Sequence, residues 1–457
     1  MKEKSFYKRI IHIALPIMVQ NGITNFVNML DNIMVGQVGT NPMSGVAIVN
    51  NLLFVWNLCI FGGLSGIGIF TAQFAGRKNN DGIRHTFRLM VLTGVILTAL
   101  GLGVFLLFGR QLISLYLHGS ETANINETLL HGHRYLMIML AGLLPFAAAQ
   151  IYSTVLRETG ETRIPMRASL IAVLVNLIGN YVLIYGKFGF PAMGVAGAAA
   201  ATVISRCTEL LFLAFVTHSD PERYPFIKDV YSSMSVPGTL AAECIRKASP
   251  LLLNETLWAA GQAVLSQTYS SRGLEVVAAT NISATIGNVF NVSFIAMGSA
   301  IGIILGQELG AGHLDTVKKD ANRLAVFAVL ICAAAGAGLY STSSLFPRMY
   351  NTSEEIRNIA AGLIRVSALC MPLYAYENAS YFTVRSGGKT VITFLFDSCF
   401  SWLVVIPVAY VLTHMTAMDI VYVFLCVQLC SILKCLIGFI LVQKGIWIHD
   451  LTGVLRQ

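Results

Sequence analysis

The chain reads as an all-α polytopic membrane protein: twelve transmembrane helices in two parallel-repeat six-helix bundles around a central cleft. Three observations carry that reading. Of 457 residues, 55% are hydrophobic and only 12% charged, with a mean hydropathy of +0.68; soluble domains carry about twice that charge. Apolar runs of roughly 20 residues, the length that crosses a bilayer as a helix, recur from end to end. The two halves also repeat. Shifted by 234 residues, Ala14, Pro16, Gly39 and Ser65 meet Ala248, Pro250, Gly273 and Ser299, and "GIGIFTAQFAG" (66–76) meets "AIGIILGQELG" (300–310). Further on the offset becomes 228, pairing Arg157 with Arg385 and Gly160 with Gly388. Six spans, an even number, separate the copies. The halves therefore share orientation about an axis along the membrane normal, a layout suited to alternating access.

Taken in order, span one (10–35) follows the basic lead "MKEKSFYKR". No small-residue cleavage site follows and the apolar run continues past Pro16, so a retained helix is expected rather than a signal peptide. Span two (46–74) ends before Arg77, Lys78, Arg84 and Arg88. Spans three (88–108) and four (133–156) lead to Arg157, Arg163 and Arg167. Spans five (165–185) and six (191–217) close the first half. The polar, Pro-containing "THSDPERYPFIKDVYSSMSVPG" marks a cytoplasmic linker, so the organisation is 1–217, linker 218–245, then 246–457. Spans seven (246–270) and eight (276–308) precede Lys318, Lys319 and Arg323. Nine (322–346) and ten (357–383) precede Arg385 and Lys389. Eleven (391–413) and twelve (419–443) precede Lys444 and Arg456.

Basic residues thus gather in alternate loops, which places both termini in the cytoplasm. The same placement explains most of the net charge of +8 without any nucleic acid. The expectation is a monomeric, multi-pass protein of the plasma (inner) membrane, with the lipid bilayer as its surroundings. The nine cysteines lie in or beside apolar runs with no CxxC spacing. They read as small buried side chains rather than a disulfide or zinc set.

Polar groups inside the membrane are expensive, so function is sought there. In span one, Asn21, Asn25, Asn28 and Asn32 fall at i, i+4, i+7 and i+11, flanked by Thr24 and Asp31. These positions line one side of a helix. Asparagines alone also serve as interhelical glue. The carboxylate of Asp31 turns the stripe towards function, although it lies about one turn from Gly36 and within snorkelling reach of the outer surface. Span five adds Asn176 and Asn180, one above the other. Span six adds Thr202 among Gly194, Gly197 and Ala198 to Ala201, small residues that allow close helix approach. Amide and hydroxyl oxygens around a carboxylate suit Na⁺ or a proton relay.

In span seven, Glu255, Trp258, Gln262, Ser266 and Tyr269 share one face. Glu255 is the repeat equivalent of Asn21, whereas the equivalent of Asp31 is Leu265. Glu377 in span ten, with Arg365 as a candidate partner, and Asp397 in span eleven are further acids. Arg206 and Glu209 read as an i, i+3 ion pair, and Glu308 as a solvated helix end. Enzyme signatures are missing: "SGGKT" (386–390) lacks the first glycine of a phosphate loop, and HExxH, GxSxG and GxGxxG do not occur. No enzyme activity is expected, and no cofactor beyond Na⁺ or H⁺ as a coupling ion.

Five segments in order, "MLDNIMVG", "AQFAGRKN", "LRETGETRIP", "VNLIGNYVLIYGKFGFPAMGVAGAAAATVIS" and "LLNETLWAAGQ", give the chain its resemblance to the multidrug and toxic compound extrusion (MATE) family, over essentially its whole length. The resemblance implies a secondary antiporter in which Na⁺ or H⁺ enters while an organic substrate, often a cationic drug, leaves. Asp31 matches the family's first-helix coupling carboxylate, Asn176 the span-five amide and Thr202 the span-six hydroxyl. Asn180 stands where some branches carry a second carboxylate. One formal charge remains adequate for Na⁺ but lacks the like-charge repulsion that raises a carboxyl pKa. Glu255 matches an acid found in span seven of many members. The expected cation-coupling set is Asp31, Asn176, Asn180 and Thr202, with Asp31 as the Na⁺ ligand. The expected substrate or second coupling site is Glu255, Gln262, Asn28, Tyr269 and Glu377. The alternative is a lipid-linked oligosaccharide or lipid flippase of the same broad fold. That function would want a basic cleft, whereas the interior charges here are mainly acidic.

Overall fold

The computed structural model describes residues 3–117 and 125–454, apart from the side chains of 3–5, 28, 29, 32, 40 and 454. Among these residues the structure is helical throughout, without strands. The first seven helices are α1 (Glu3–Gly36), α2 (Thr40–Gly76), α3 (Asn80–Leu117), α4 (Ile125–Leu140), α5 (Leu143–Glu158), α6 (Arg163–Tyr185) and α7 (Val195–Ser219). After a 3₁₀ turn at Pro225–Ile227 come α8 (Gly238–Ser270), α9 (Leu274–Gly310), α10 (Val317–Thr342) and α11 (Glu354–Ser386). Then follow α12 (Thr390–Phe394), α13 (Ile406–Met415), α14 (Ile420–Lys444) and the short α15 (Leu451–Val454).

Ten stretches are long and apolar enough to cross a bilayer singly, counting α12 to α13 as one. An eleventh is bent: α4 and α5 meet at 50° across Ala141 and Gly142, within the predicted span 133–156. The twelfth is α8, 33 residues long but less apolar because it carries Asn254, Glu255 and Gln262. Twelve spans therefore stand in the predicted order. Between α12 and α13 the chain winds through two π-helical turns, Leu395–Cys399 and Ser401–Val405. Pro407 lacks the amide that would bond the carbonyl of Leu403, which accounts for the second.

The chain forms two compact units. The first comprises 19–71 and 79–242, the second 1–18, 72–78 and 243–457. The division at 242–243 falls within the predicted linker. The repeat does not foretell that the start of α1 and the end of α2 belong with the second unit, and packing explains both. Phe6, Ile10, Ile13, Ala14 and Ile17 of α1 complete an apolar core with α9 and α10. At the end of α2, a Cβ on Gly76 would stand 1.9 Å from the carbonyl oxygen of Gln307, and one on Gly310 would stand 1.9 Å from that of Gln73. These two contacts are repeat mates, 234 residues apart (310 − 76 and 307 − 73). The Gln73 side chain also donates to the Ser386 carbonyl (3.0 Å) and accepts from the Leu451 amide (2.8 Å).

In the first unit α6 and α7 form a tight hairpin. Gly186, at φ +66°, ends α6 in the left-handed region open to glycine. A Cβ on Gly197 would come within 2.5 Å of the Leu183 carbonyl oxygen, and one on Gly179 within 2.9 Å of Ala201. The small residues of α7 thus let the two backbones close up, as membrane helices do. That closeness brings the amides of α6 against Thr202. All nine cysteines are free.

Candidate cation and substrate sites

Asp31, Asn176, Asn180 and Thr202 converge in the first unit. Asn180 Nδ2 donates to Asp31 Oδ1 at 2.6 Å. Asn176 has two amide orientations to choose from. In one, its nitrogen donates to Thr202 Oγ1 (3.2 Å) and its oxygen accepts from Asn180 (3.3 Å). That orientation sets the Asn176 oxygen against the Asp31 carboxylate, acceptor against acceptor, and is the less favourable of the two. In the other, the nitrogen donates to both Asp31 oxygens at 2.9 Å and the oxygen accepts from Thr202 at 3.2 Å. Thr202 Oγ1 also reaches the Ala198 carbonyl (3.0 Å). Asn176 and Asn180 are buried, and Asn180 Oδ1 is a buried acceptor without a hydrogen-bond partner. No basic side chain touches Asp31 among the described residues. Arg206, the cation that bears on it electrostatically, is paired with Glu209 at 3.5 Å and lies 4.7 Å from the Phe146 ring centroid. The i, i+3 pair predicted for Arg206 and Glu209 is present. Asn28 and Asn32 have side chains outside the described residues.

The second expected site is only partly assembled. Glu255 is half-buried on α8 and has no hydrogen-bond or ion-pair partner among the described residues; Arg385 and Asp397 lie within its electrostatic reach. Trp258 is 40% exposed and Gln262 exposed along the same helix. Tyr269 departs from the expectation. It is 7% exposed and packs edge-on against Phe424, ring centroids 5.8 Å apart, inside an apolar cluster with Val423 and Val427. It continues the face of Gln262, but α14 covers that face at its level. Glu377 also differs: its partner is Lys434 (3.7 Å), while Arg365 bonds Ser343 and Ser344. Glu308, expected at a solvated end, is 3% exposed and faces Arg9 at 3.6 Å.

Lys434 escapes a reading that looks for membrane acids, although a lone lysine in the apolar run "SILKCLIG" is its signal. Its Nζ donates to Asp397 Oδ1 at 2.8 Å, and Asn254 Nδ2 donates to Asp397 Oδ2 at 3.0 Å. Asp397 sits in the first π turn. The first unit has a counterpart: Gln20 Nε2 donates to Ser169 Oγ (2.6 Å), which donates to Glu209 Oε1 (2.7 Å), while Arg157 donates to Gln20 Oε1 (2.8 Å). Gln20 and Asn254 are 234 apart, and Ser169 and Asp397 are 228 apart. Helices α7 and α14 align 225 apart (420 − 195, 444 − 219), which sets Glu209 against Lys434. The converse holds for the Asp31 cluster. Its counterparts in the second unit include Leu265 and Val427, which pack with Val405 and Val408 in the apolar cluster around Tyr269.

The MatE family model matches residues 16–182 and 250–411, two segments whose starts are 234 apart (250 − 16), the offset of the repeat. The chain is 25% identical over 414 residues to a probable multidrug resistance protein NorM of Thermotoga maritima, covering 89% of this chain and 85% of that protein. It is 26% identical over 430 residues to another of that name from Oceanobacillus iheyensis, covering 91% and 92%. Among solved structures, MATE in the bent conformation shares the fold at TM-score 0.83 with 17% identity, covering 96% of this chain and 95% of that one. An outward-facing multidrug resistance MATE family transporter of the MOP superfamily does so at TM-score 0.81, with 17% identity and the same coverage. With both halves matched by one family model, the chain belongs to the MatE family of multi-span membrane transporters.

Proposed function

We propose that this transporter exports organic, cationic, drug-like compounds in exchange for Na⁺ or H⁺, by alternating access in the plasma membrane with both termini cytoplasmic. The observation that carries the coupling reading is the Asp31 cluster. Among the described residues the carboxylate touches only neutral donors and acceptors, with a second acceptor, Asn180 Oδ1, buried and unsatisfied. A half-buried membrane carboxylate of this kind wants a cation or a proton. The donor set also fits Na⁺: the oxygens of Asp31, Asn180 and Thr202, and that of Asn176 in the orientation that turns it inward, are hard ligands. Such a site drives a cycle only if the two conformations of the transporter differ in cation affinity.

Glu255 is the substrate-facing acid in this reading, since it lacks a partner among the described residues, and neighbouring Trp258 offers a π face to an organic cation. The multidrug resistance names of the relatives support drug-like substrates. The test is ethidium efflux in everted vesicles under imposed Na⁺ or H⁺ gradients. Asp31→Asn should abolish gradient-driven efflux while the protein remains folded in the membrane. Normal efflux by that variant would sink the assignment.

A further inference from the structure

We infer that Asp397 and Glu377 form a cation site whose occupant is the chain's own Lys434 ammonium, so that the second unit takes up no coupling cation. The inference rests on the reading of Asp31 as the coupling carboxylate. Lys434 is held as a bound cation would be. Its Nζ lies 2.8 Å from Asp397 and 3.7 Å from Glu377, and 5.4 Å from the Phe396 ring centroid, with 12% of the side chain exposed. The other face of Asp397 is fixed by Asn254, whose own oxygen accepts from Ser398 Oγ at 2.7 Å. The carboxylate therefore cannot turn away from the lysine without breaking a second hydrogen bond.

The repeat shows that the fold does not require a lysine on the last helix here. At the corresponding level of the first unit the three-helix contact is Gln20, Ser169 and Glu209, with an acid where the second unit has the lysine. The sign of the charge on the last helix is reversed, and the carboxylate moves from that helix to its partner. What survives in both units is a polar contact joining the same three helices. What differs is that the second unit answers Asp397 and Glu377 with a tethered ammonium, whereas Asp31 has no basic group in contact among the described residues. A covalently tethered cation is present at high effective concentration. Na⁺ would have to displace it from an ion pair formed where water is scarce.

The test is equilibrium binding of radiolabelled Na⁺ to purified protein. Asp31→Asn should remove the Na⁺ bound by the unaltered chain. Adding Lys434→Gln to that variant should create a new site of one Na⁺ per chain, and adding Asp397→Asn to both should remove it again. Lys434→Arg should create none. Removing the lysine leaves two acids uncompensated, so folding is followed alongside. The Asp31→Asn/Lys434→Gln protein should melt at a higher temperature in Na⁺ than in equimolar choline, as binding to the native state requires. The inference is overturned if that protein binds no Na⁺, if it melts alike in the two salts, or if it cannot be recovered folded in saturating Na⁺. Failure of the Asp31 reading shows separately, as Na⁺ binding by the unaltered chain that the Asp31→Asn change leaves undiminished.

Discussion

At the scale of single residues, Asp31 and its three neighbours come from three helices far apart in sequence, yet each was legible before the structure. An acid, two amides at helical spacing and a hydroxyl in a small-residue helix are all out of place in hydrocarbon. Their meeting point follows from α6 and α7 packing closely. Tyr269 and Lys434 were not legible in the same way, because periodicity assigns a face but not what covers it. The α14 helix buries Tyr269 and also supplies the lysine that answers Glu377 and Asp397. Two substitutions test the Asp31 cluster. Thr202→Val keeps the shape and removes one oxygen; losing one such contact should cost about 1 kcal/mol, roughly a fivefold rise in the Na⁺ concentration for half-maximal efflux. Asn180→Asp sets a second carboxylate where the amide now lies 2.6 Å from Asp31. Two like charges that close do not both ionise, so the pair retains a proton to higher pH than either acid alone. Efflux by that variant should follow an imposed H⁺ gradient and lose its response to Na⁺. Retained Na⁺ stimulation would show that Asn180 does not face the coupling ion.

At the scale of elements, twelve spans follow from runs of apolar residues, but their irregularities do not. The bend between α4 and α5 falls at Ala141 and Gly142; Pro145, which has no amide to bond the Ala141 carbonyl, marks the place in the sequence but not the 50° angle. The π turns around Asp397 place the carboxylate towards both α8 and α14, and only Pro407 gives a partial cue. The glycine pair of the repeat was visible as a match but not as a contact. Gly76 on α2 and Gly310 on α9 each let a carbonyl of the other helix approach to where a Cβ would stand. Either Gly→Ala change forces backbone against methyl. Overpacking of this kind costs about 1–3 kcal/mol, so each variant should melt several degrees lower in detergent. Because the same two helices separate to relieve both clashes, the double variant should lose less than the sum. Additive losses would mean that the two glycines act at independent contacts.

At the scale of the whole molecule, the repeat preserves the fold while dividing the chemistry between its copies. The Asp31 cluster has an apolar counterpart in the second unit, and the Asp397 contact has a counterpart in the first with an acid, Glu209, in place of Lys434. If Lys434 fills the second unit's cation place, one monovalent cation enters per cycle through the Asp31 cluster. Export of one monovalent organic cation then moves no net charge. Ethidium accumulation driven by a fixed Na⁺ or H⁺ gradient in everted vesicles should therefore be unaffected when the membrane potential is clamped at different values with K⁺ and valinomycin. Two coupling cations per cycle would instead move one net charge, worth about 2.3 kcal/mol per 100 mV, and would change the accumulation ratio roughly 40-fold over that range. A dependence of that size in the unaltered transporter would place a second working cation site in the molecule. Its appearance only after Lys434→Gln would identify the lysine as the group that holds the stoichiometry at one.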